Sequence, residues 1–135
     1  MADPRTFAAP DGIGIDLVRI ERIAEHLDDK RFLERLFTPG ELSDAGDGPQ
    51  RAARLAARWA AKEALAKALG CGFGDALTWG DVETVRGDNG APSLRLSDRA
   101  IKLHNNPKAL VSLSHDGDYA IAMVWVSTSG KAPHE

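Results

Sequence analysis

One predicted helix of this chain carries a carboxylate among ammonium and guanidinium groups, a pattern suited to phosphate chemistry. Residues 54–69 read RLAARWAAKEALAKAL. At about 3.6 residues per turn, Glu63 and Lys67 lie in one row of the helix surface. Arg58 and Lys62 lie in the row beside it. The carboxylate can hold a metal ion, the cations can neutralise phosphate oxygens, and the alanines would let a ligand approach the helix closely.

The same spacing also suits an ordinary surface ion pair. A glutamate four residues before a lysine is the favoured order for a salt bridge along a helix. An alanine-rich helix with scattered bases is also a good helix former with a solvated face. Spacing alone therefore favours the ion pair, and the choice depends on the rest of the chain.

Composition limits the class of ligand. The chain has 135 residues, of which 43% are hydrophobic, so it can bury one ordinary core. We expect a flexible arm at residues 1–11, a single domain at residues 12–127 and a tail at residues 128–135. The formal net charge is −3, with 17 basic and 20 acidic residues, which argues against a nucleic-acid binder. A cationic helix on an acidic body suits a small phosphorylated ligand better.

The chain also lacks the signals of secretion and of a membrane protein. Cys71 is its only cysteine, so an intrachain disulfide and a thiol-rich metal site are excluded. No stretch approaches 18 apolar residues, and the first residues lack the cationic segment and apolar run of a secretory leader. We therefore expect a soluble, cytoplasmic protein with no membrane partner.

The first half of the chain is predicted to be mainly helical after one short strand. Residues 12–18 (GIGIDLV) alternate and are β-branched, which predicts a strand. Residues 20–37 have a helical pattern that is interrupted around residues 28–29. Thr38, with Glu41 three positions later, has the residues of a capping box at the start of another helix.

Hairpins dominate the predicted second half. Four strands are expected as two hairpins, residues 81–85 with 93–96 and residues 110–114 with 119–126. Asn89-Gly90 in the first hairpin favours a type I′ turn, and residues 115–118 form a tight turn in the second. Residues 97–104 have the start signal and length of a short helix. Helices followed by hairpins predict an α+β domain.

Polar residues outside the central helix have alternative interpretations when each is taken alone. Asp16 lies near the end of an apolar strand, where its carboxylate is expected to be paired, to bind a metal or to cap the next helix. His115 is by default a solvated turn residue. Ser114 belongs to one polar face of a strand. None of these residues identifies a site by itself.

Five segments, in this order, resemble the holo-acyl-carrier-protein synthases, the small homotrimeric branch of the 4′-phosphopantetheinyl transferases. They are GIGID (12–16), RFLERLFTPGEL (31–42), RWAAKEALAKALG (58–70), NGAP (89–92) and SLSHDGDYAIA (112–122). The resemblance extends from residue 12 to residue 126, and its central segment is highly specific. It makes the ion pair the weaker interpretation of Glu63.

The resemblance implies a small antiparallel sheet with a long central helix, assembled as a homotrimer. It also implies an activity in fatty acid biosynthesis: transfer of the 4′-phosphopantetheine arm of coenzyme A to a serine of an apo carrier protein, with release of adenosine 3′,5′-bisphosphate. Cleavage of a pyrophosphate develops charge that a divalent cation can bridge, and magnesium prefers one or two protein carboxylates. The positions that match the family's metal ligands are Asp16 and Glu63.

The same resemblance assigns the substrate contacts. Those for coenzyme A are Arg58 and Lys62 at its phosphates, Asn89, Gly90, Pro92 and Ser114 around its nucleotide, and His115 around the adenosine 3′-phosphate or the nucleotide. Lys67 matches the second motif lysine and either binds phosphate or orients the serine hydroxyl. The serine proton is taken by Glu63, directly or through a metal-bound water, or by Lys67 if neighbouring charges lower the pKa of Lys67. We favour the water-mediated route through Glu63.

The implied acceptor is an acidic acyl carrier protein, either free or a domain of a larger synthase. The resemblance places its docking surface on the first helical region, at Arg22, Arg31 and Arg35. Acidic residues are interspersed there, so docking requires the bases to share a face. Because subunits of this family share their sites, the metal ligands of one chain would face His115 of another.

Two residues depart from the family pattern. Asp116 follows the histidine, where it either orients His115 or simply shapes the turn. Ala66 replaces a hydroxyl residue in the motif spacer, which removes one ligand contact.

Functions of other classes also remain open at this point. A non-catalytic module could grip an acidic protein or a nucleotide with the basic helix, leaving Glu63 and Lys67 as an ordinary ion pair. A purely structural trimer subunit is the third alternative.

Overall fold

A three-stranded antiparallel sheet with one long helix laid across it holds the chain together in the computed structural model, which describes residues 9–128. The strands are β1 (Gly12–Arg19), β2 (Val82–Arg86), β3 (Pro92–Leu96), β4 (Pro107–Asp116) and β5 (Tyr119–Thr128). The sheet has the order β1-β5-β4, and β2 pairs with β3 in a separate hairpin. These pairings are antiparallel, which confirms the predicted α+β class and its small antiparallel sheet.

The predicted arm and tail lie outside the described residues, except for residues 9–11 and 128. Thr128 still belongs to β5 and is hydrogen-bonded to Asp11, the residue before β1. Its backbone N and its Oγ1 donate to the carboxylate of Asp11 at 2.6 and 3.1 Å. These two hydrogen bonds close the end of the sheet where β1 begins.

Several helix boundaries lie where local signals predicted them. They are α1 (Glu21–Ala24), α2 (Lys30–Leu36), α3 (Pro39–Ala45), α4 (Arg51–Leu69) and α5 (Asp98–Leu103). The predicted break at residues 28–29 is confirmed, because the side chain of Asp29 caps α2 by accepting from the backbone N of Phe32. The capping box of Thr38 and Glu41 is also confirmed. Helix α4 ends at Gly70, whose φ of 73° is the left-handed conformation that favours glycine.

Helix α4 packs unusually close to β1 because two glycines of that strand face it. A Cβ built on Gly12 would lie 1.9 Å from the carbonyl oxygen of Ala68. A Cβ on Gly14 would lie equally close, at 1.9 Å, to the carbonyl oxygen of Ala64. Only residues without a side chain allow the helix backbone to rest directly on the strand.

This packing corrects the expectation that the alanines of α4 leave room for a ligand. The alanines of this helix are buried, at positions 52, 53, 56, 57, 60, 61, 64, 66 and 68. All of them except Ala53 belong to the hydrophobic core. Ala66 is among them, so a hydroxyl there would face the protein interior. Of these alanines, only Ala57 also lines the cleft described below.

The opposite face of the sheet is apolar and exposed. Its large side chains come from all three strands and are Ile13, Ile15, Leu17, Leu110, Met123 and Trp125. Trp125 pairs in register with Ile13 on one side and Leu110 on the other, and it is 42% exposed. Trp125 therefore does not belong to the buried core of this chain.

The two hairpin turns differ from their predicted forms. Strand β4 continues to Asp116, so His115 lies in a strand and the turn contains only Gly117 and Asp118. In the first hairpin, Arg86 pairs with Pro92 across a five-residue loop instead of a two-residue type I′ turn. Type I′ geometry needs two positive φ angles, and only Gly90 of the Asn-Gly pair has one, at 83°. Because Pro92 has no N–H, it cannot continue the ladder toward a tighter turn.

Candidate active site

The strand alternation of β1 brings Asp16 to α4. Asp16 follows Gly12 and Gly14 on the face that packs against the helix. The Nζ of Lys67 donates to Oδ1 of Asp16 at 3.1 Å and to the carbonyl oxygen of Ile15 at 2.9 Å. The predicted i,i+4 pair is therefore replaced by a pair between helix and strand, because the ion pair of Lys67 is with Asp16.

Asp16 is not at a strand end, which corrects that prediction. Strand β1 continues to Arg19, and α1 begins after Ile20 with no side-chain cap. Of the alternatives for Asp16, helix capping is therefore wrong. Pairing with Lys67 and binding of a metal remain compatible with its position.

Glu63 is the second carboxylate on this side of α4. Partial burial raises the pKa of Glu63, and the negative charge of Asp16 raises it further. The charges of Lys67 and Arg22 partly offset this increase. The two acids are thus close enough to repel each other, and a bound cation would relieve that repulsion.

The donor set fits magnesium. Residues 9–128 contain no group of three or more histidine, cysteine, aspartate or glutamate side chains placed to hold a metal. Magnesium does not require such a cage, because one or two carboxylates with waters and phosphate oxygens complete its shell. Asp16 and Glu63 supply two.

A cleft of about 320 Å³ lies along a different side of α4. Its lining residues are Arg54, Ala57, Arg58, Thr84, Arg86, Gly90, Pro92, Leu113, Ser114 and His115. The cleft thus brings together five of the seven residues predicted to bind coenzyme A. Asn89 lies outside the lining, and its Oδ1 accepts a hydrogen bond from the backbone N of Ala91.

Lys62, the other missing residue, is not available to a phosphate, which corrects its predicted role. Its side chain is fully buried, and its Nζ lies 2.7 Å from Oε1 of Glu41. The same Nζ donates to the carbonyl oxygens of Leu36 at 2.8 Å and Trp79 at 3.0 Å. An ammonium group has three N–H donors, and these three acceptors use them all. Burial lowers the pKa of Lys62, and the charge of Glu41 opposes that decrease.

The carboxylate side and the cleft lie on opposite faces of the helix. Arg54 and Glu63 are nine residues apart, and nine steps of about 100° place them about 180° apart around the axis. Arg58 and Lys67 are separated by the same nine positions. Within one chain, therefore, Arg58 does not lie beside Asp16 and Glu63, and that expectation is wrong.

Two cleft arginines and one threonine had no predicted role. Arg54 lies one turn before Arg58, so its helical spacing was a usable signal. Arg86 and Thr84 share one face of β2 by strand alternation, and Arg86 pairs in register with Pro92. The prediction that Asp116 orients His115 is not supported, because adjacent strand residues point to opposite faces.

The predicted docking arginines lie near the carboxylate side. The guanidinium of Arg22 lies 4.6 Å from the ring centre of Trp59, which is one turn before Glu63. Arg31 and Arg35 are exposed one turn apart on α2. Helix α2 reaches the same tryptophan through Phe32, whose ring meets that of Trp59 edge-on at 6.5 Å.

Comparison with known proteins identifies the family of this chain. Residues 12–124 match the model of the 4′-phosphopantetheinyl transferase superfamily. The chain belongs to this superfamily. The holo-[acyl-carrier-protein] synthase of Geobacter metallireducens is 46% identical over 118 residues, which cover 84% of this chain and 94% of that protein.

Solved structures of the superfamily share the fold. The Helicobacter pylori holo-[acyl-carrier-protein] synthase in complex with coenzyme A has a TM-score of 0.78 and 36% identity, covering 85% of this chain and 99% of that one. The Bacillus anthracis synthase, in complex with coenzyme A (3′,5′-ADP), has a TM-score of 0.77 and 35% identity, covering 90% and 100%. Within residues 9–128 of this superfamily member, no helix is long and apolar enough to cross a bilayer.

Proposed function

We propose that this chain is a holo-[acyl-carrier-protein] synthase. It transfers the 4′-phosphopantetheine group of coenzyme A to a serine of apo-acyl carrier protein and releases adenosine 3′,5′-bisphosphate. The observation that carries the proposal is the match of residues 12–124 to the superfamily, in a fold that brings the carboxylate of Asp16 on β1 near enough to Glu63 on α4 to raise its pKa. The ion pair between Glu63 and Lys67, which a non-catalytic binding module would retain, is not formed.

Asp16 and Glu63 would hold a magnesium ion. When bound, the cation supplies charge neutralisation for the pyrophosphate oxygens. Support comes from the raised pKa of Glu63, which burial and the charge of Asp16 cause together. Two such neighbouring carboxylates are better accommodated with a cation than without one.

The remaining chemistry belongs to the side chains of this chain. Lys67 donates to Asp16 and to the carbonyl oxygen of Ile15, so it orients the aspartate and adds positive charge near the reacting phosphate. Glu63 receives the serine proton through an intervening water. We favour Glu63 over Lys67 in this role because the ammonium of Lys67 already donates to Asp16 and to the carbonyl oxygen of Ile15.

The enzyme acts as a homotrimer with sites shared between subunits. The exposed apolar face of the β1-β5-β4 sheet supports a subunit contact, since neighbouring large apolar side chains on three strands are seldom left in water. The cleft and the carboxylates lie on opposite faces of α4, so coenzyme A in the cleft of one subunit would reach the carboxylates of its neighbour. Trp125→Glu should convert the assembly to monomers in sedimentation experiments. A wild-type protein that is monomeric at all concentrations would disprove the shared site.

The carrier docks on Arg22, Arg31 and Arg35. These side chains are exposed, and Arg22 lies near enough to influence Glu63. An acidic carrier, either free or as a domain of a synthase, complements such a surface. The reaction serves fatty acid biosynthesis in the cytoplasm.

Mass spectrometry of an apo carrier protein tests the activity directly. Incubation with coenzyme A, magnesium and this protein should add one phosphopantetheine to one serine. A panel of carrier proteins should be used, with a serine-to-alanine carrier as the control. A carrier mass that stays unchanged across the panel would contradict the proposed function.

A further inference from the structure

Glu41 is a fully buried acid that the proposed chemistry does not use. Its side chain is 0% exposed, although the glutamate of a capping box needs only one carboxylate oxygen for the cap. That oxygen, Oε1, accepts from the backbone N of Thr38 at 2.9 Å and lies 2.7 Å from Nζ of Lys62. The other oxygen, Oε2, accepts from the backbone N of Thr84 at 2.9 Å. One side chain therefore connects α3, α4 and β2.

This connection matters because β2 belongs to a hairpin outside the main sheet. In the part of the chain that the structure describes, β2 pairs with β3 alone, so its other edge has backbone groups that no strand satisfies. The carboxylate of Glu41 takes the place of a neighbouring strand at that edge. Beside it, Oγ1 of Thr38 donates to Oε2 of Glu83, and a Cβ built on Gly40 would lie 2.7 Å from the same Oε2. The start of α3 is thus fitted closely against the free edge of β2.

The same segment of β2 forms one wall of the cleft. Thr84 and Arg86 line the cleft from β2, and Arg58 lines it from α4. Thr84 is 3% exposed, and its Oγ1 is a buried oxygen that has no hydrogen-bond partner among residues 9–128. A shift of β2 would therefore move a side chain that is free to contact a ligand in the cleft.

Helix α3 is in turn anchored to α4, the other wall, at its far end. Nη1 of Arg51, the first residue of α4, donates to the carbonyl oxygens of Leu42 at 2.9 Å and Gly46 at 2.6 Å. This anchor does not involve Lys62. Lys62 neutralises the carboxylate of Glu41, whereas the hydrogen bond from β2 needs only an acceptor oxygen on that side chain.

We propose that Glu41 is a positioning residue for coenzyme A. By accepting from the backbone N of Thr84, it holds β2 at the distance from α4 that the substrate in the cleft requires. The assignment rests on the proposed function, which makes coenzyme A the ligand of the cleft. Asp16 and Glu63 lie on the opposite face of α4, so Glu41 acts on the binding of coenzyme A and not on the reacting groups.

Two double variants test whether the acceptor on Glu41 matters. Glu41→Gln/Lys62→Met and Glu41→Met/Lys62→Met both remove the buried ion pair with side chains of similar size, an exchange that is often neutral for stability. The first keeps a side-chain oxygen for the N–H of Thr84, and the second has none. In calorimetry, the first should bind coenzyme A as the wild type does, and the second about tenfold more weakly. Loss of one buried hydrogen bond lowers the fraction of protein whose cleft is competent to bind.

Transfer kinetics and hydrogen exchange give independent measurements. In Glu41→Met/Lys62→Met, the KM for coenzyme A should rise about tenfold while kcat stays near the wild-type value. Exchange of the backbone amide of Thr84 should be faster in that variant than in Glu41→Gln/Lys62→Met. The single variant Lys62→Met is the matched control, because it keeps Glu41 and should keep the wild-type KM at temperatures where it is folded. A KM that rises with loss of stability alone would be highest in this control.

The outcomes separate this assignment from the proposed function. Equal affinities for coenzyme A in the two double variants would overturn the assignment, and normal transfer by the wild type would leave the proposed function intact. If the wild type binds coenzyme A but transfers nothing, the proposed function fails, and the two affinities still decide the role of Glu41. Glu41→Leu/Lys62→Met, which also lacks an acceptor, takes the place of Glu41→Met/Lys62→Met if the latter does not fold.

Discussion

Two lysines on α4, five positions apart, each pair with an acid from another element, but in different surroundings. Lys62 and Glu41 lie 2.7 Å apart, and both side chains are 0% exposed. Lys67 and Asp16 lie 3.1 Å apart, and their side chains are 56% and 17% exposed. The buried ammonium has its three donors occupied, whereas the exposed pair keeps carboxylate oxygens that a ligand can reach. Burial thus separates a lysine that holds α3 against α4 from one that we propose serves the reaction.

The buried pair should be the more costly of the two to break. Lys62→Met leaves the carboxylate of Glu41 without its charged partner, which is expected to lower the free energy of unfolding by about 3–5 kcal/mol. Lys67→Met should lower it by about 1 kcal/mol or less. Chemical denaturation measures both, and Glu41→Gln combined with Lys62→Met should recover part of the loss.

A different outcome for Lys62→Met would reverse the comparison. If that variant were as stable as the wild type but showed a raised KM for coenzyme A, Lys62 would be a substrate ligand after all. The structure predicts an unchanged KM at temperatures where the variant is folded.

The exposed side should show the opposite behaviour, with a large loss of activity at little cost in stability. Asp16→Ala and Glu63→Gln should each reduce magnesium-dependent transfer by more than about 100-fold. Even substitution of a residue that only hydrogen-bonds to a metal ligand lowers metal affinity or activity about 10- to 100-fold. Transfer rates and thermal unfolding should be measured on the same preparations. Near-normal rates in either variant would rule out these carboxylates as the metal site.

The pKa of Glu63 gives a finer test of the same side. Because Asp16 raises the pKa of Glu63 and Lys67 lowers it, Asp16→Asn should lower that pKa and Lys67→Met should raise it. Carbon-13 NMR titration of the metal-free protein measures both. Opposite or absent shifts would show that the three groups are not coupled.

The sign of the pH dependence follows from the raised pKa. Folded protein keeps the proton of Glu63 at pH values where the unfolded chain has lost it, so this residue makes the free energy of unfolding fall as the pH rises through that window. This sign applies to the metal-free protein, because a bound cation would favour the charged carboxylate and oppose the increase in the pKa of Glu63.

The smallest effect is expected at the docking surface. Arg22→Glu and Arg31→Glu should raise the KM for the carrier several-fold and leave coenzyme A binding unchanged. Charges at the rim of an interface mainly change the rate at which the two proteins associate. Lys102→Glu, on α5, is the control for a general change in charge. Equal KM values in all three variants would count against this surface.

Local signals were sufficient for most of the secondary structure. Thr38 caps the helix that it was predicted to start, the predicted break at residues 28–29 lies where Asp29 caps α2, and Ser97 caps α5 by accepting from the backbone N of Ala100. Such caps involve residues within one turn of each other, so a short segment contains all the necessary information. The second hairpin turn was predicted at the right place but too long, because β4 continues to Asp116.

Long-range contacts explain what the pattern did not predict. Lys62 and Glu41 are 21 positions apart, and nothing in either segment indicates that they meet in the core. The motif that places a lysine beside Glu63 gives no information about which of the two faces inward. The cleft required the packing of α4, the first hairpin and β4 together, and for this reason Arg86 was missed although Gly90 and Pro92 were predicted.

The two glycines under α4 have a genetic consequence. Every amino-acid replacement at Gly12 or Gly14 adds at least a Cβ, which would lie 1.9 Å from a helix carbonyl oxygen. Every missense change in either codon, however conservative, therefore pushes strand and helix apart. Asp16 lies on that strand and Glu63 on that helix, so such alleles would be hypomorphic through misalignment of intact catalytic groups. Compensating second-site changes would have to alter the path of the α4 backbone. Changes of Asp16 or Glu63 themselves would not compensate.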